Sequence, residues 1–386
     1  MLPLFVLAHF THHLLTALPT PLLPFIRNDF NLNYTQSSLV VSAFSLSYGV
    51  SQLPAGWLAD RIGPRMLITV GICGLSLAGI LVGLSHTYGM VIFFLVLMGV
   101  TAGGYHPAAA PLISRSVEPQ RLGRALGFHL IGGGGSYFVA PLIAGAIAAV
   151  WGWRGSFVGL AVPTMIFGVI FFRLLGRLSE TRRTGEARAE FSDGTPAGPV
   201  SGRLRRLVAF IVLSVFNAGL TTSAMTFVPL YMVDHFGASK QTAASFVAIA
   251  YSAGLWAGPA GGYLADRFGK IGIILVISLL SGCMIYLLNL IPYGFGFGAL
   301  LLMLGILIFV RMAVSEAYIM GQTTKRYRST VYGIYYCSMT ESGALLAPVM
   351  GYLIDRLGFY YCFTIAGVAA LVITPICAAF LWGGRN

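Results

Sequence analysis

The sequence predicts an all-α membrane protein whose twelve transmembrane helices form two pseudo-symmetric bundles of six. Of its 386 residues, 57% are hydrophobic and only 9% are Asp, Glu, Lys or Arg, whereas about a quarter of a soluble domain is charged. The apolar residues form continuous runs of about 20, the length that a helix needs to cross a bilayer, and do not alternate as in barrel strands. A third observation, an eight-residue motif that occurs twice, divides these runs into two equal sets.

Six apolar runs lie on each side of one long polar segment. The first six spans are predicted at 4–26, 36–60, 65–85, 88–114, 122–150 and 154–176. The second six are predicted at 204–233, 240–265, 270–291, 294–322, 329–354 and 359–382. Residues 177–203 are rich in charge and interrupted by Pro and Gly, which predicts a flexible cytoplasmic linker. The predicted domains are therefore an N-terminal bundle at 1–176 and a C-terminal bundle at 204–386.

The basic residues are unevenly distributed among the predicted loops. The side that holds both termini and the linker carries 19 of the 24 Lys and Arg residues, the other side carries four, and Arg311 lies inside a span. An excess of Lys and Arg marks the cytoplasmic side, so both termini are predicted to be cytoplasmic, in the plasma or inner membrane. The net charge of +12 then follows from topology. No nucleic-acid partner is expected, because no basic and aromatic binding fold accompanies the charge.

Nothing in the chain predicts an enzyme or a bound cofactor. It has no phosphate-binding glycine loop, no nucleophile elbow and no metal-ligand triad at the usual spacings. The cysteines lie in apolar runs without CxxC spacing, so they are expected to be small buried residues and not disulfides or metal ligands. They are Cys73, Cys283, Cys337, Cys362 and Cys377.

The motif that occurs twice is a short polar hinge between apolar runs. It reads GWLADRIG at 56–63 and GYLADRFG at 262–269, 206 residues later. Each copy places an Asp-Arg pair at the end of a helix, before a glycine that ends it. Two homologous halves across a membrane are the architecture of transporters. Further residues recur at this offset or one residue beyond it: Gly127 as Gly333, Gly152 as Gly358, and Ala140-Pro141 as Ala347-Pro348.

Over essentially the whole chain, these features resemble the major facilitator superfamily of transporters. The likeness rests on the doubled G-x-L-A-D-R-x-G motif after the second and eighth spans, and on the layout of six spans, a linker and six spans. Related first spans often hold an acidic residue near the position of His13, and this chain departs from that pattern. Two stretches also resemble the fosmidomycin-resistance-type branch of bacterial efflux proteins. They are His9-Phe10, Leu22-Leu23-Pro24 and Asp29-Phe30-Asn31-Leu32 in the first span and loop, and Gly103-Gly104-Tyr105-His106-Pro107 in the fourth span.

The resemblance implies a secondary transporter that works by alternating access, with a substrate site between its halves. In that family, the hinge Asp contacts the N-terminal end of a helix from the other half when the cytoplasmic side is closed. A carboxylate gains about 0.3–1 kcal/mol at such a position, which can bias two states without locking either. The resemblance assigns the gating motif to Gly56, Asp60, Arg61, Gly63, Arg65, Gly262, Asp266, Arg267 and Gly269.

Three ionisable residues of the second half are predicted at membrane depth: Arg311, Glu316 and Glu341. Each costs about 2.5–3.5 kcal/mol to insert, so such residues normally face a cavity or one another. Arg311 and Glu341 are expected to pair. The pair is either a structural ion pair or a site in which Arg311 binds a substrate anion and Glu341 exchanges a proton. Glu316, five residues beyond Arg311 and about 7.5 Å nearer the cytoplasm, is the second candidate for proton exchange.

Five of the seven histidines lie within predicted spans of the first half. His9, His12, His13 and Thr16 follow the spacing of one helix face, which is expected to line a cavity or contact a neighbouring helix. Imidazoles can relay protons or hydrogen bond an anion, although each can also be a packing residue. His9 and His13 are interpreted as substrate contacts, and His12 and His129 as proton carriers. A metal site at His9, His12 and His13 is the open alternative, but no Cys or carboxylate completes it, so no metal is predicted.

The fourth span supplies two further candidates. Tyr105-His106-Pro107 follows Gly99 and Gly103, whose spacing admits a close helix approach. Pro107 lacks a backbone N–H and is expected to bend the span. In the resembling fold this span lines the cavity, so Tyr105 and His106 are interpreted as substrate contacts.

Weaker signals lie in the fifth and seventh spans. The four glycines at 132–135, followed by Ala140-Pro141, resemble a Gly-Pro signature associated with antiporters, which favours export. Close helix packing explains these glycines equally well. Asn217 and Thr221, one turn apart on the seventh span, are placed to complete a substrate pocket.

The sequence therefore predicts proton-coupled efflux of a small anionic or amphipathic compound by a monomer in the lipid bilayer. The alternative is proton-coupled uptake of an organic acid or other nutrient, because no feature encodes direction. A second alternative is a non-transporting receptor or assembly factor on a transporter scaffold. The substrate-binding candidates are Arg311, Tyr105, His106, His9, His13, Asn217 and Thr221. The proton-coupling candidates are Glu341, Glu316, His12 and His129.

Overall fold

The computed structural model describes residues 2–114, 117, 121–181, 201–322 and 328–382. These residues are almost entirely helical, and none of them lies in a strand. The predicted all-α membrane fold is therefore confirmed, and the helices below position the polar side chains within it.

Proline and glycine interrupt the helices of the first half. In chain order these are α1 (Leu2–Thr16), α2 (Pro19–Phe30), α3 (Tyr34–Ile62), α4 (Pro64–Thr69), a π-helical turn (Val70–Gly74), α5 (Leu75–Gly83), α6 (Tyr88–Ala102), α7 (Tyr105–Ser114) and α8 (Leu122–Thr181). Pro19 begins α2. The N–H groups of the first helical turn have no partner within the helix, so a proline loses no hydrogen bond there. Asn31 then ends α2 in the left-handed conformation, at φ 51°.

The second half has the same kind of interruptions. Its described helices are α9 (Ser201–Phe236), α10 (Lys240–Ser252), a 3₁₀ turn (Ala253–Leu255), α11 (Ala257–Phe268), α12 (Lys270–Leu287), α13 (Phe295–Gln322) and α14 (Arg328–Trp382). The bend between α10 and α11 is 48°, so together they form one broken span.

The number of membrane crossings agrees with the twelve predicted spans. Within the described residues, eight helical stretches are long and apolar enough to cross a membrane, and the bent pair makes nine. Two of these, Ala125–Gly176 and Cys337–Leu381, are 52 and 45 residues long, about twice what one crossing needs. Each is broken once, at Gly152 and Gly358, and so contains two crossings. The 29-residue helix α3, whose six serines lower its hydropathy, supplies the remaining one.

The internal repeat extends to the backbone dihedrals. Gly63 and Gly269 end the two hinges at φ 85° and 86°, and Gly152 and Gly358 break α8 and α14 at φ 70° and 82°. Only glycine adopts these angles without strain. The chain therefore turns at the same two places in each half.

The Cα positions divide the chain into two compact units. The first unit comprises Met1–Asn31, Leu39–Ser192 and Ser239–Ala248, and the second comprises Leu32–Ser38, Asp193–Ala238 and Ile249–Asn386. Each unit contains most of one predicted bundle. The first residues of α3 group with the second unit, and the first residues of α10 group with the first unit.

Each unit has its own aromatic and aliphatic core. In the first unit, Phe5 of α1 packs edge-on against Phe171 of α8, with ring centroids 5.5 Å apart. In the second, Phe210 of α9 stacks on Tyr318 of α13 at 3.9 Å. These contacts fix the first helix of each bundle, which carries many of the polar candidates.

Two glycines at equivalent positions of the repeat allow two helices to cross with their backbones in contact. Gly99 of α6 lies against the Phe44 carbonyl of α3, and Gly305 of α13 lies against the Ala250 carbonyl of α10. A methyl group on either glycine would overlap the carbonyl oxygen. Small residues permit such crossings between membrane helices, in agreement with the spacing of Gly99 and Gly103.

We expect Gly99→Ala to lower the melting temperature of the purified protein, at a cost of about 1–3 kcal/mol, because the backbone of α3 would have to move. Gly89→Ala is the matched control, since a Cβ there meets nothing within 4 Å and alanine favours the helix. Scanning fluorimetry in detergent measures both variants. Equal melting temperatures for the two would contradict the close crossing.

Candidate functional site

A cluster of histidines and tyrosines lies inside the first unit, where α1, α7 and α8 meet. Its members are His9, His12 and His13 of α1, Tyr105 and His106 of α7, and His129 and Tyr137 of α8. His9 is central, because its ring stacks on His129 at a centroid distance of 4.1 Å and lies 4.7 Å from His13 and 5.3 Å from His106. The structure therefore brings the substrate-binding and proton-coupling candidates of the first half into one group.

Three ring nitrogens of this cluster have defined hydrogen-bond partners. Nδ1 of His9 lies 2.7 Å from the carbonyl oxygen of His129, and Nδ1 of His129 lies 3.1 Å from that of Phe5. A carbonyl oxygen only accepts, so in the neutral rings Nδ1 carries the hydrogen and Nε2 keeps the lone pair. Nδ1 of His13 lies 3.0 Å from the Thr16 hydroxyl oxygen. These bonds tie α1 to α8 and orient the imidazoles.

His12 has a different environment from its neighbours on α1. It is fully buried and stacks on Tyr105 at 4.4 Å. Neither ring nitrogen makes a hydrogen bond of good geometry, although the Gly71 backbone lies close to the ring. This residue is therefore packed between aromatic and backbone groups.

Glycines provide the space for these rings. A Cβ on Gly133 would overlap the ring of His9, and one on Gly132 would overlap the carbonyl of Val6 on α1. Gly71, in the π-helical turn, leaves room in the same way for the backbone of Tyr105. Of the two interpretations of the glycines at 132–135, close helix packing is thus observed for the first two.

The break in the fourth span lies before Pro107 and not at it, contrary to the prediction. Helix α6 ends at Ala102, and α7 begins at Tyr105 after Gly103 and Gly104. Pro107 falls in the first turn of α7, where a missing N–H leaves no hydrogen bond unmade. The two glycines, and not the proline, form the break after which Tyr105 and His106 join the cluster.

In the second unit, Arg311 is buried and has no carboxylate partner within the described ranges. Its side chain, on α13, is 2% exposed. Among the described residues it makes one hydrogen bond, from Nη1 to the carbonyl oxygen of Ser214 at 3.5 Å, and its Nε has no partner. A buried donor left unpaired costs about 1–3 kcal/mol, and more when it is charged. The guanidinium therefore has the capacity to bind an anion that the surrounding protein does not provide.

Ser214, whose carbonyl this arginine contacts, belongs to a group of three hydroxyls. Oγ of Ser214 on α9 lies 2.7 Å from Oγ of Ser315 on α13 and 3.2 Å from the hydroxyl of Tyr335 on α14. These three side chains satisfy one another, so they join the helices without neutralising the charge of Arg311.

Asn217 and Thr221 follow Ser214 on one face of α9, at i+3 and i+7. Asn217 is 1% exposed, and neither its Nδ2 nor its Oδ1 has a hydrogen-bond partner. The hydroxyl of Thr221 donates to the carbonyl of Asn217 at 2.7 Å, so it is already used within its own helix. Asn217 is thus the member of this face with free hydrogen-bonding capacity.

Arg311 and Glu341 do not form an ion pair, contrary to the prediction. The α14 residue that reaches the environment of Arg311 is Tyr335, through its contact with Ser214. Glu341 lies six residues further on, about 9 Å along the axis and on another face of the helix. It is 7% exposed, with Oε1 3.4 Å from the Thr340 hydroxyl and Oε2 without a partner. Glu341 is therefore a separate buried carboxylate.

Glu316, the second candidate carboxylate, is partly buried on α13. It lies about one and a half turns beyond Arg311 on the same helix. Its role in proton exchange stays a prediction.

The hinge residues are mostly exposed. Asp266 bonds to Lys270 at 3.3 Å, with its side chain 77% exposed, so it does not cap a helix in this structure. The guanidinium of Arg61 lies over the Trp57 ring at 4.2 Å, and that of Arg267 lies over its neighbour Phe268 at 5.4 Å. Of the first copy's Gly56 and Asp60, only the backbone lies within the described residues. The gating contact therefore stays a prediction.

Arg65, assigned to the gating motif, has a structural contact inside the first unit. Its Nη2 and Nε donate to the carbonyl oxygen of Phe172 at 2.9 and 3.3 Å, and its guanidinium lies 4.2 Å from the centre of that ring. These contacts hold the start of α4 to the end of α8. The side chain is therefore already engaged.

Asp355 is a functional candidate that the sequence reasoning missed. Its Oδ1 accepts from the backbone N–H of Tyr34 at 2.9 Å, and its Oδ2 accepts from the N–H and hydroxyl of Thr35 at 2.9 and 2.6 Å. A carboxylate of α14 thus caps the N-terminus of α3 within the second unit, which is the interaction predicted for the hinge Asp. A signal was present, because residues 355–358 read DRLG, a third copy of the D-R-x-G that ends both hinges.

Comparisons with known proteins identify the family and agree with the resemblance noted in the motifs. The family description Major Facilitator Superfamily matches residues 5–348 and 210–385 of the chain. Over 384 residues the chain is 24% identical to a "Probable sulfoacetate transporter" of Cupriavidus necator, covering 92% of this chain and 88% of that protein. It is also 24% identical over 268 residues to the "Fosmidomycin resistance protein" of Escherichia coli, covering 68% of this chain and 64% of that protein.

Solved structures show the same fold. A bacterial homolog of the human lysosomal transporter Spinster, in an inward-facing and unoccupied conformation, superposes with a TM-score of 0.79. The alignment covers 98% of this chain and 95% of that chain at 18% sequence identity. At this identity the likeness concerns the arrangement of helices and not the substrate.

We expect Asp355→Asn to lower the melting temperature by several degrees, because an amide cannot accept from three donors as a carboxylate does and loses the attraction of the helix dipole. Asp266→Asn is the control, since the exposed Asp266 contacts only one lysine among the described residues. Scanning fluorimetry compares the two variants. A shift no larger for Asp355→Asn than for Asp266→Asn would show that the cap contributes nothing.

Proposed function

The chain belongs to the major facilitator superfamily, and from that premise we propose that it is a proton-coupled secondary transporter that exports a small organic anion. Family membership and the transporter names of its relatives support secondary transport of a small compound by a multi-pass membrane protein. The substrate class, the coupling and the direction are our proposal.

The observation that carries the proposal is the uncompensated charge of Arg311. In a membrane-spanning bundle, a charged residue normally pairs with another residue or lies in a substrate pathway. Among the residues that the structure describes, this one has a single long hydrogen bond to a carbonyl oxygen and an Nε without a partner. A carboxylate, sulfonate or phosphonate would supply the missing acceptors, with both charge and the bidentate geometry that guanidinium prefers.

The side chains around Arg311 support a small polar substrate. Asn217, on the face of α9 that carries Ser214, has a free amide donor and a free acceptor. Its donor could bind an anion oxygen while its acceptor binds a hydroxyl or water. We therefore assign anion binding to Arg311 and orientation of the substrate to Asn217, with Thr221 in a minor role.

The names of the relatives agree with an anionic substrate. One relative is described as a transporter of sulfoacetate and another as a protein of resistance to fosmidomycin, a phosphonate. Both compounds are small organic anions. The charge of Arg311 provides a chemical reason for the same class here.

Glu341 is the carboxylate that we assign to proton coupling. It is buried, it has no cation partner among the described residues, and its Oε2 has no hydrogen-bond partner. Ionisable groups with these properties inside membranes mark proton pathways. Glu316, His12 and His129 are further members of the proposed pathway.

We propose export as the direction, because resistance to a compound fits its removal from the cell. Uptake of an organic acid is the second candidate, supported by the nearly full-length alignment with the sulfoacetate transporter. Loading intact cells with labelled sulfoacetate or fosmidomycin separates the two, because an exporter lowers the internal level and an importer raises it. We place the protein in the plasma membrane with both termini cytoplasmic, as the excess of basic residues on that side indicates.

We expect Arg311→Gln to weaken sulfoacetate or fosmidomycin binding about 10–100-fold, the loss of one charge-assisted hydrogen bond of about 1.5–3 kcal/mol, with a parallel loss of transport in proteoliposomes. Arg173→Gln, at an exposed arginine of α8, is the matched control. Undiminished transport in a folded Arg311→Gln protein would overturn the proposed role.

Arg311→Met should raise the melting temperature of the ligand-free protein, because an uncompensated buried charge is removed.

Glu341→Gln is expected to abolish transport driven by a pH gradient and to leave exchange of labelled for unlabelled substrate intact, because the amide cannot carry a proton. Both assays use the same proteoliposomes, so exchange serves as the internal control for folding. Glu316→Gln tested in parallel shows which carboxylate is required. Gradient-driven flux at the wild-type level in Glu341→Gln would remove this residue from the mechanism.

A further inference from the structure

Three imidazoles of the histidine cluster are arranged as metal ligands, and we propose that His9, His13 and His106 bind a divalent transition-metal ion within the first unit. One ring nitrogen of each lies within 4.8 Å of the other two. In a tetrahedral zinc site, with Zn–N distances of about 2.0–2.1 Å, ligand nitrogens are about 3.4 Å apart, so each must move inward by less than about 1 Å. Small side-chain rotations cover that distance.

His9 already has the arrangement of a metal-binding histidine. Its Nδ1 is hydrogen bonded to the carbonyl oxygen of His129 at 2.7 Å. Metal-ligating histidines commonly donate their other N–H to such a carbonyl, which fixes the tautomer and the ring orientation. Its Nε2 is buried and has no hydrogen-bond partner in the described part of the chain, on a side chain only 3% exposed. An unpaired lone pair in an apolar interior is costly, and a metal ion would satisfy it.

His13 also has one ring nitrogen beside a polar partner, and His106 is positioned by its ring contacts. Nδ1 of His13 lies beside the Thr16 hydroxyl at 3.0 Å, which leaves Nε2 available. Its ring packs against Tyr137 at a centroid distance of 5.0 Å and against His106 at 5.2 Å. His106 follows Tyr105 at the start of α7. The three rings therefore come from two helices and converge without a large change of rotamer.

The donor set selects the kind of metal. Imidazole nitrogens suit Zn²⁺, Cu²⁺, Ni²⁺ and Co²⁺, whereas Mg²⁺ and Ca²⁺ prefer oxygen ligands. Three histidines leave a fourth position open for water or an anion. The sequence had suggested His12 as the third ligand, but its ring stacks on Tyr105, and His106 takes its place.

This site is independent of the proposed anion site. None of its ligands belongs to the second unit, which contains Arg311 and Glu341. Its presence therefore does not require that the protein transports an anion, and Arg311→Gln should leave metal binding unchanged.

The test is a Zn²⁺ titration of the full chain, purified in detergent without a polyhistidine tag, in competition with a chromophoric chelator. We expect one equivalent to bind, and His13→Gln or His106→Gln to weaken binding by at least tenfold. Gly133→Ala, whose methyl overlaps the His9 ring, should also weaken it, although every ligand remains. His106→Cys should retain Zn²⁺, because a thiolate replaces the imidazole nitrogen. Co²⁺ in place of Zn²⁺ should give the visible absorption of a four-coordinate site.

The matched controls are His86→Gln and His235→Gln, at exposed histidines outside the cluster, which should bind Zn²⁺ as the wild type does. Melting temperatures establish that each variant is folded, and His106→Cys provides a folded comparison if His106→Gln is unstable. Absence of stoichiometric binding in the wild type would overturn the proposal. Equal losses in the cluster variants and the exposed controls would do so as well.

Discussion

The positive charge of Arg311 must be compensated inside an apolar bundle, and the part of the chain that the structure describes supplies one carbonyl oxygen at 3.5 Å. Serine and tyrosine hydroxyls near it are bonded to one another, and Glu341 lies on another face of α14. A buried cation in this state destabilises the protein unless a ligand completes its shell. This state of the arginine is the observation from which we propose an anion site.

The two halves repeat the backbone but not the chemistry. Gly63 and Gly152 recur with nearly the same φ angles 206 residues later, which keeps the helix ends in place. At that same offset, Tyr105 corresponds to Arg311 and His129 corresponds to Tyr335. At these two positions the first unit holds a phenol and an imidazole, and the second unit holds a guanidinium and a phenol. The repeat preserved two polar positions, and each half uses them for different groups.

This division fits a transporter in which separate residues handle separate ions. The second unit holds the cation that would attract an organic anion, together with a buried carboxylate that can exchange a proton. The first unit holds imidazoles with free lone pairs, suited to a metal ion or a proton. Asp355 adds a carboxylate that caps the first residues of α3 within the second unit.

The fold and the members of the histidine cluster could be predicted from the sequence, because both depend on how residues are spaced along the chain. The His9, His12 and His13 face follows from helical periodicity, and the breaks at Gly63 and Gly269 follow from the doubled motif. Pairings between helices were not predictable, since they depend on rotation and packing. Tyr335, and not Glu341, reaches the environment of Arg311, and His106 replaces His12 beside His9 and His13. Asp355 was missed because its D-R-x-G copy lies in the short loop between the eleventh and twelfth predicted spans, outside the two hinges.

The central proposal is that Arg311, which has no counter-charge among the described residues, binds an anion, and thermal stabilisation of the unmodified protein tests it most directly. Melting temperatures are measured against increasing sulfoacetate and against its uncharged diester at the same concentrations. A ligand that binds only the folded state stabilises it in proportion to the logarithm of its concentration. The account predicts a rise with sulfoacetate and none with the diester. An equal shift with both compounds would contradict it.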